Sequence, residues 1–282
     1  MAFELTVENK YGKQLTLSNN PSYAITSVEG IDPPDAVINW TRNAGTDGSV
    51  YNSAYIDNRL ITITLAINPN AEDNRLQLYR YFKSKEPVRV YYQTDTRDVY
   101  IDGYVQSFSV GLFQKNQIAQ ISILCPDPMF KGVTNSVTNL SAITPLFTFP
   151  FAIQSAGIPF STLGEIEETL VINNGDMETG AIITLNAIGS CANPRIINED
   201  TNEWFKVNDS LSTGDRIVID TRKKHKSVIK YSGGYTYNMI GYVESGSTWL
   251  TVAPGGNYFT VEATNLENLM CLFETDELYE GV

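Results

Sequence analysis

The sequence predicts a mainly β protein of two β-sandwich domains, the first carrying one helix and an extended hairpin arm. Three observations lead there. Runs rich in β-branched and aromatic residues alternate apolar and polar positions along much of the 282-residue chain. Clusters of Gly, Asn, Asp and Pro punctuate these runs at the close, even spacing of a sandwich. One segment alone carries a convincing helix signature. The length suits two ordinary domains, and 42% hydrophobic with 18% charged residues is a globular composition.

The elements follow in chain order. In "WTRNAGTDGSVYNSAYIDNR", Gly45, Asp47 and Gly48 suit a tip or bend, while Val50, Tyr51, Tyr55 and Ile56 keep strand-like content. The stretch reads as a hairpin arm over about 40–60, too extended to be stable without a partner surface. "LITITLAI" alternates Ile61, Ile63 and Leu65 against Thr62 and Thr64, a half-buried strand. The helix follows "NPN": Pro69 can stand in its first turn, and Glu72 and Asp73 suit its positive end. It shows a Leu76/Tyr79/Phe82 stripe, with Lys83 and Lys85 near its end and Pro87 stopping it. "VRVYYQT", "DVYIDGYVQSFSV" and "QIAQISILC" then form a meander. Its last strand puts Cys125 in phase with Ile121 and Ile123. In "CPDPMFKG", Pro126 and Pro128 cannot donate to a ladder, so pairing should end there.

The first domain is thus expected over 1–132, a loop-like connecting segment over 133–164, and the second domain over 165–282. "ETLVINN", "AIITLNAI", "PRIINED", "WFKVN", "DRIVIDT", "SVIKYS", "TWLTV" and "YFTVEATN" read as its strands, a jelly-roll-like or galectin-like sandwich. Charge changes at the same boundary: 12 basic against 14 acidic residues up to Gly132, and 8 against 18 beyond it.

Little in the sequence supports chemistry. Cys125, Cys191 and Cys271 are odd in number and widely spaced. They fit neither a disulfide framework nor a metal motif and read as buried structural thiols in a reducing compartment. The single histidine, His225 in "TRKKHKS", cannot build a triad or a multi-histidine metal site and reads as a solvated turn residue. The basic run Arg222–Lys230 reads as a hairpin face balancing acidic neighbours. Asp176 with Glu178, and Glu165, Glu167 and Glu168, are the closest carboxylate clusters for a glycosidase, but both sit at predicted turns. The glycines of "GTDGS" and "SGGYTYNMIGY" lack the pattern of a phosphate cradle. No catalytic residue, cofactor or metal is therefore expected. The net charge of −12 argues against sequence-specific nucleic-acid binding. The N-terminus lacks a signal-peptide pattern, and the apolar stretch 143–158 is broken by Pro145, Pro150 and Gly157, so a soluble protein is expected. Tyr235, Tyr237, Trp249 and Tyr258 could line a sugar-stacking surface; packing in the core or at a subunit contact is the plainer reading.

The order of these features resembles the distal tail protein family of long-tailed bacteriophages of Gram-positive hosts. The matching stretches are "SVEGIDPPDAVINWTRNAGTDGSVYNS", "RLITITLAI", "NRLQLYRYF" and "DVYIDGYVQSFSV…QIAQISILCPDPMF". In the second half they are "TPLFTFPFAI", "INNGDMETGAIITL", "NPRIINEDTNEWFKV", "GDRIVIDT", "STWLTVAPGGNYFTV" and "LYEGV". The resemblance covers nearly the whole chain. It implies a virion protein made in the host cytoplasm and a homohexameric ring at the tail tip, whose arm contacts a neighbouring subunit through Gly45, Asp47, Gly48, Val50, Tyr51 and Tyr55. It further implies a galectin-like second domain, the tail tube protein and tail-tip hub as partners, and a support for receptor-binding proteins. A near-neutral first domain suits a lumen through which DNA slides. A second reading is a glycan-binding protein that uses the second domain.

Overall fold

A computed structural model describes residues 3–114, 116–141, 143–145, 161–163 and 168–282. They fall into two units, 1–133 together with 278–282, and 134–277.

The first unit holds β1 (Glu4–Asn9), β2 (Gln14–Thr16), β3 (Tyr23–Glu29), β4 (Ala36–Thr41), β5 (Val50–Ile56), β6 (Arg59–Ile67), helix α1 (Ala71–Tyr81), β7 (Pro87–Gln93), β8 (Asp98–Val110), β9 (Ile118–Cys125) and β10 (Phe130–Gly132). Seven of these strands form one antiparallel ladder in the order β2-β1-β7-β8-β9-β6-β3. Leu15 of β2 and Tyr23 of β3, at opposite ends of that order, share one core with Val7, Ile63, Ile101 and Ile121. The ladder therefore curls back on itself. Bulges at Ile25/Ser27 and Val105/Ser107 supply the extra twist. Ile61, Ile63 and Leu65 are buried as their alternation predicts. Cys125 is buried in phase with Ile121 and Ile123, and its pairing with β6 ends the ladder just before Pro126. Gly103 makes room for this row: a Cβ there would lie 2.6 Å from the Ile123 Cγ2 and 2.8 Å from the Cys125 Sγ.

The helix differs from its predicted stripe. Its inward residues are Asn74 and Leu78, continued by Phe82 just past its end, while Leu76 and Tyr79 are largely exposed. The buried row is spaced i, i+4, i+8, and an asparagine fills its first place. Asn74 donates through Nδ2 to the Pro69 carbonyl at 3.1 Å, and its own carbonyl accepts from the Tyr23 hydroxyl. This polar group is buried because its bonds are made, which an apolar pattern cannot register. Pro69 stands before the N-cap, Asn70, whose backbone is left-handed.

The second unit holds β11 (Ser136–Asn139), β12 (Ile143–Pro145), β13 (Ser161–Leu163), β14 (Thr169–Asn173), β15 (Thr179–Ala187), β16 (Cys191–Asn198), β17 (Glu203–Lys206), β18 (Ser210–Leu211), β19 (Arg216–Asp220), β20 (Ser227–Ser232), β21 (Tyr235–Asn238), β22 (Thr251–Val252), β23 (Gly255–Thr264) and β24 (Leu269–Thr275). One sheet runs β11-β24-β15-β19-β20-β21, with β22 beside β15. The other runs β14-β23-β16-β17, with β18 beside β16; β12 and β13 pair separately. The sheets share one core, in which Phe259 of β23 meets Phe273 of β24 with ring centroids 4.7 Å apart. Cys191 and Cys271 are buried within it.

Three assignments change. Ser136–Asn139, expected as part of a loop, is a strand because β24 offers it a free edge; residues 146–160 of the expected connecting segment lie outside the described residues. The run "LMCLFET" is β24, a central strand. It carries apolar residues on both faces, so period-two alternation was muted. Leu278–Tyr279, expected within the second domain, forms a two-residue strand on β10 of the first unit.

Candidate functional site

Among the described residues, the two strands β4 and β5 pair only with each other, outside the curled ladder. The arm they form starts at Ala36 and ends at Ile56, while Leu60, expected in it, lies in β6. Every residue from Ala36 to Tyr55 is exposed. Gly45 and Gly48, with φ of 87° and 89°, and Asp47 make the tip, where the left-handed backbone favours glycine.

The register sorts the arm into two faces. Val37 faces Tyr55 and Asn39 faces Ser53, but a bulge after Asn39 then sets Trp40 opposite Tyr51. The extra residue is Asn52, whose Nδ2 donates to the Thr41 Oγ1 at 2.7 Å. Without the bulge, Tyr51 would face away from Trp40, because strand residues alternate sides. With it, Ala36, Ile38, Trp40, Tyr51, Ala54 and Ile56 share one apolar face. The other face takes Val37, Asn39, Thr41, Val50, Ser53 and Tyr55, laced by the Asn39–Ser53 hydrogen bond of 3.1 Å. Ile38, Trp40 and Tyr51 remain 58, 59 and 65% exposed. Of the residues expected at a contact, Tyr51 thus lies on the apolar face, Val50 and Tyr55 on the mixed face, and Gly45, Asp47 and Gly48 at the tip. Ile38 and Trp40 were missed; only the bulge, which leaves no mark in the sequence, joins them to Tyr51.

The four aromatics of the second unit do not converge. Tyr235 and Tyr237 project from the same side of the edge strand β21 and are exposed. Tyr258 lies on β23 of the other sheet, and Trp249 packs on Phe205 with ring centroids 5.1 Å apart. A cleft of about 580 Å³ beside β20 and β21 is lined by Asp209, Lys230, Tyr237, Met239 and Tyr242 among others. Its charges are already matched: the Lys230 Nζ lies 2.6 Å from the Asp209 carboxylate and 3.4 Å from that of Asp215. Burial lowers the Lys230 pKa, but the two carboxylates outweigh it and hold the ammonium above its ordinary value. Burial alone would raise the Asp215 pKa; hydrogen bonds from Ser232 and the Ser212 amide, with Lys230, keep it low.

The remaining candidates take structural places. His225 is an exposed turn residue, and Arg222 bridges Asp220 and Asp276. Burial pushes the Cys125 thiol up to about 12, raises Cys191, and moves Cys271 up further, so none is a ready thiolate. Asp176 and Glu178 are exposed around the turn before β15, where Glu178 accepts from the Thr251 hydroxyl; Glu165 and Glu167 lie outside the described residues. Among the described residues, no three His, Cys, Asp or Glu side chains gather as a metal site, and no helix is long and apolar enough to cross a membrane.

Two family models match the chain. Residues 10–125 match a phage tail protein RIFT-related domain, and residues 174–273 match the C-terminal domain of siphovirus-type tail components. No curated protein sequence matches. Among solved structures, the chain is similar over 98% of its length to 99% of the Dit protein of phage SPP1, described as a paradigm of the hub adsorption apparatus in phages infecting Gram-positive bacteria. The TM-score is 0.68 at 14% identity. It is also similar, over the whole of both chains, to a protein of the phage P2 baseplate in its activated conformation with calcium, with a TM-score of 0.52 at 14% identity. With one tail domain in each of its two units, and in this order, the chain belongs to the siphophage distal tail protein family.

Proposed function

We propose that this structural tail protein assembles as a homohexameric ring that joins the tail tube to the tail-tip hub and supports the proteins that attach the virion to its host. The observation that carries the reading is the arm. A two-stranded hairpin with an exposed apolar face is marginal alone, and a face of Ile38, Trp40 and Tyr51 gains most when another surface covers it. A second copy is the natural cover, because an arm that reaches from each subunit to the next makes a heterologous contact, which closes into a ring when the rotation fits. The baseplate and hub settings of the similar structures support the same reading.

The test is the particle mass of the purified chain by light scattering, with negative-stain images for symmetry. Six copies with six-fold symmetry are expected. A persistent monomer at micromolar concentration, or a ring of another order, would overturn it. The glycan-binding alternative rests on the Tyr237 and Tyr242 cleft alone, and a glycan array probed with the full chain decides it.

A further inference from the structure

The arm leaves the first unit through a root at Gly30–Asp35 and returns through Asp57–Asn58. Arg59, which opens β6, is 3% exposed. Its Nη1 donates to the carbonyls of Gly30 and Asp32, at 2.7 and 2.8 Å, on the outgoing root. Its Nε donates to the Pro128 carbonyl at 2.6 Å, and its Nη2 to the Glu280 carbonyl. The guanidinium lies over the Phe130 ring, 4.8 Å from its centroid. A buried cation is costly unless its donors are satisfied. These donors are satisfied by main-chain carbonyls from three separate places in the sequence, one of them the returning segment 278–282.

That segment touches the root directly as well. The Val282 amide donates to the Ile31 carbonyl at 3.1 Å. The Gly281 carbonyl accepts from the Arg97 Nη1, and the Arg97 guanidinium lies over the Tyr279 ring at 4.6 Å. Gly281 leaves no room for a side chain: a Cβ would lie 2.8 Å from the Pro33 Cδ and 2.9 Å from the Pro33 nitrogen. Pro33 and Pro34 stiffen the root that the segment braces.

We propose that residues 278–282 are a strap that sets the arm. Through Arg59 and the Ile31 and Pro33 contacts, the strap fixes the path of the root and hence the direction in which β4 and β5 leave the unit. Displacing it leaves the hairpin formed but its direction undefined, so a neighbouring copy captures the arm less well. The last step rests on the ring reading above; the coupling between strap and root does not.

The test uses the full chain with Gly281→Val, which drives a side chain into Pro33, and Arg59→Met, which removes the donors. Hydrogen–deuterium exchange over residues 24–41 and 50–62 is compared at a dilution where all proteins are monomeric, and particle mass is then followed with concentration. Root exchange about tenfold faster in both variants, with the second unit unchanged, is expected. Rings that fall apart at about tenfold higher protein concentration than wild type are expected too. Unchanged root exchange in monomeric Gly281→Val would overturn the strap whatever the ring does. A loosened root with rings as tight as wild type would overturn its role in assembly. If wild type forms no ring, the ring reading fails, and the exchange comparison alone still decides the strap.

Discussion

Two of the hairpins that expose aromatic side chains differ in anchoring: the hairpin of β20 and β21 is built into a core, and the arm of β4 and β5 is not. The hairpin of β20 and β21 extends a sheet through β19 and sends Val228 and Met239 into the second unit's core. Lys230, opposite Tyr237, closes an ion triad with Asp209 and Asp215. The arm of β4 and β5 has no sheet neighbour among the described residues, and no residue of its two strands is buried. An exposed tyrosine on the first hairpin is the rim of a built structure; on the arm it belongs to a face that the proposed ring would cover. Exposure alone does not mark an interface. Exposure without an anchored backbone is what the proposed contact of the arm rests on.

Breaking the anchored hairpin should give the largest loss of folding stability. Lys230→Ala leaves two carboxylates facing each other. The cost should be about 2–3 kcal/mol, below that of a fully buried pair because Lys230 keeps some exposure. Thermal unfolding followed by Trp204 and Trp249, both in that unit, would show it. The triad also sets a pH dependence. The Asp215 pKa is depressed by folding, so its contribution is full above the ordinary 3.8 and lost as pH falls through the folded value. The Lys230 pKa is raised, so its contribution is full below 10.5 and lost as pH climbs through the folded value. Acid scans of Lys230→Ala should therefore be flatter below about pH 4 than those of wild type; parallel curves would remove the triad from the account.

Next comes Cys125→Ser, which puts a hydroxyl into a site where the thiol reaches only the Ile123 carbonyl at 4.0 Å. A loss of about 1–3 kcal/mol in the first unit is expected, with ring mass unchanged. In native protein, all three thiols should resist alkylation at pH 8 and react only on unfolding. Tyr235→Ser on the anchored hairpin should move stability by less than about 0.5 kcal/mol and leave assembly intact. Trp40→Asp on the arm should be as mild for folding, yet remove the ring. If both substitutions leave assembly alone, the two hairpins are equivalent and the comparison fails.

Much of this was legible in residues that alternate or interrupt. The Ile61/Ile63/Leu65 row, the in-phase Cys125 and the prolines after it act through local geometry, and local geometry is written locally. The misses share another cause. Asn74 is buried because it bonds to Pro69, and Arg59 because four carbonyls reach it. β24 hides its period because both of its faces carry apolar residues, and Tyr51 joins the arm's apolar face only because Asn52 bulges. Each depends on a partner elsewhere in the chain or on a register that the sequence does not state. The arm's tip could therefore be read from Gly45, Asp47 and Gly48; that Tyr51 shares the face of Ile38 and Trp40 could not.

The central claim is that the face of Ile38, Trp40 and Tyr51 is covered by a second copy. A photo-crosslinking residue placed at Trp40 in the full chain tests it directly. Illumination should yield covalent ladders up to six chains, with crosslinks mapping to the first unit of a neighbour. Crosslinks confined within single chains, at concentrations where wild type is assembled, would contradict it.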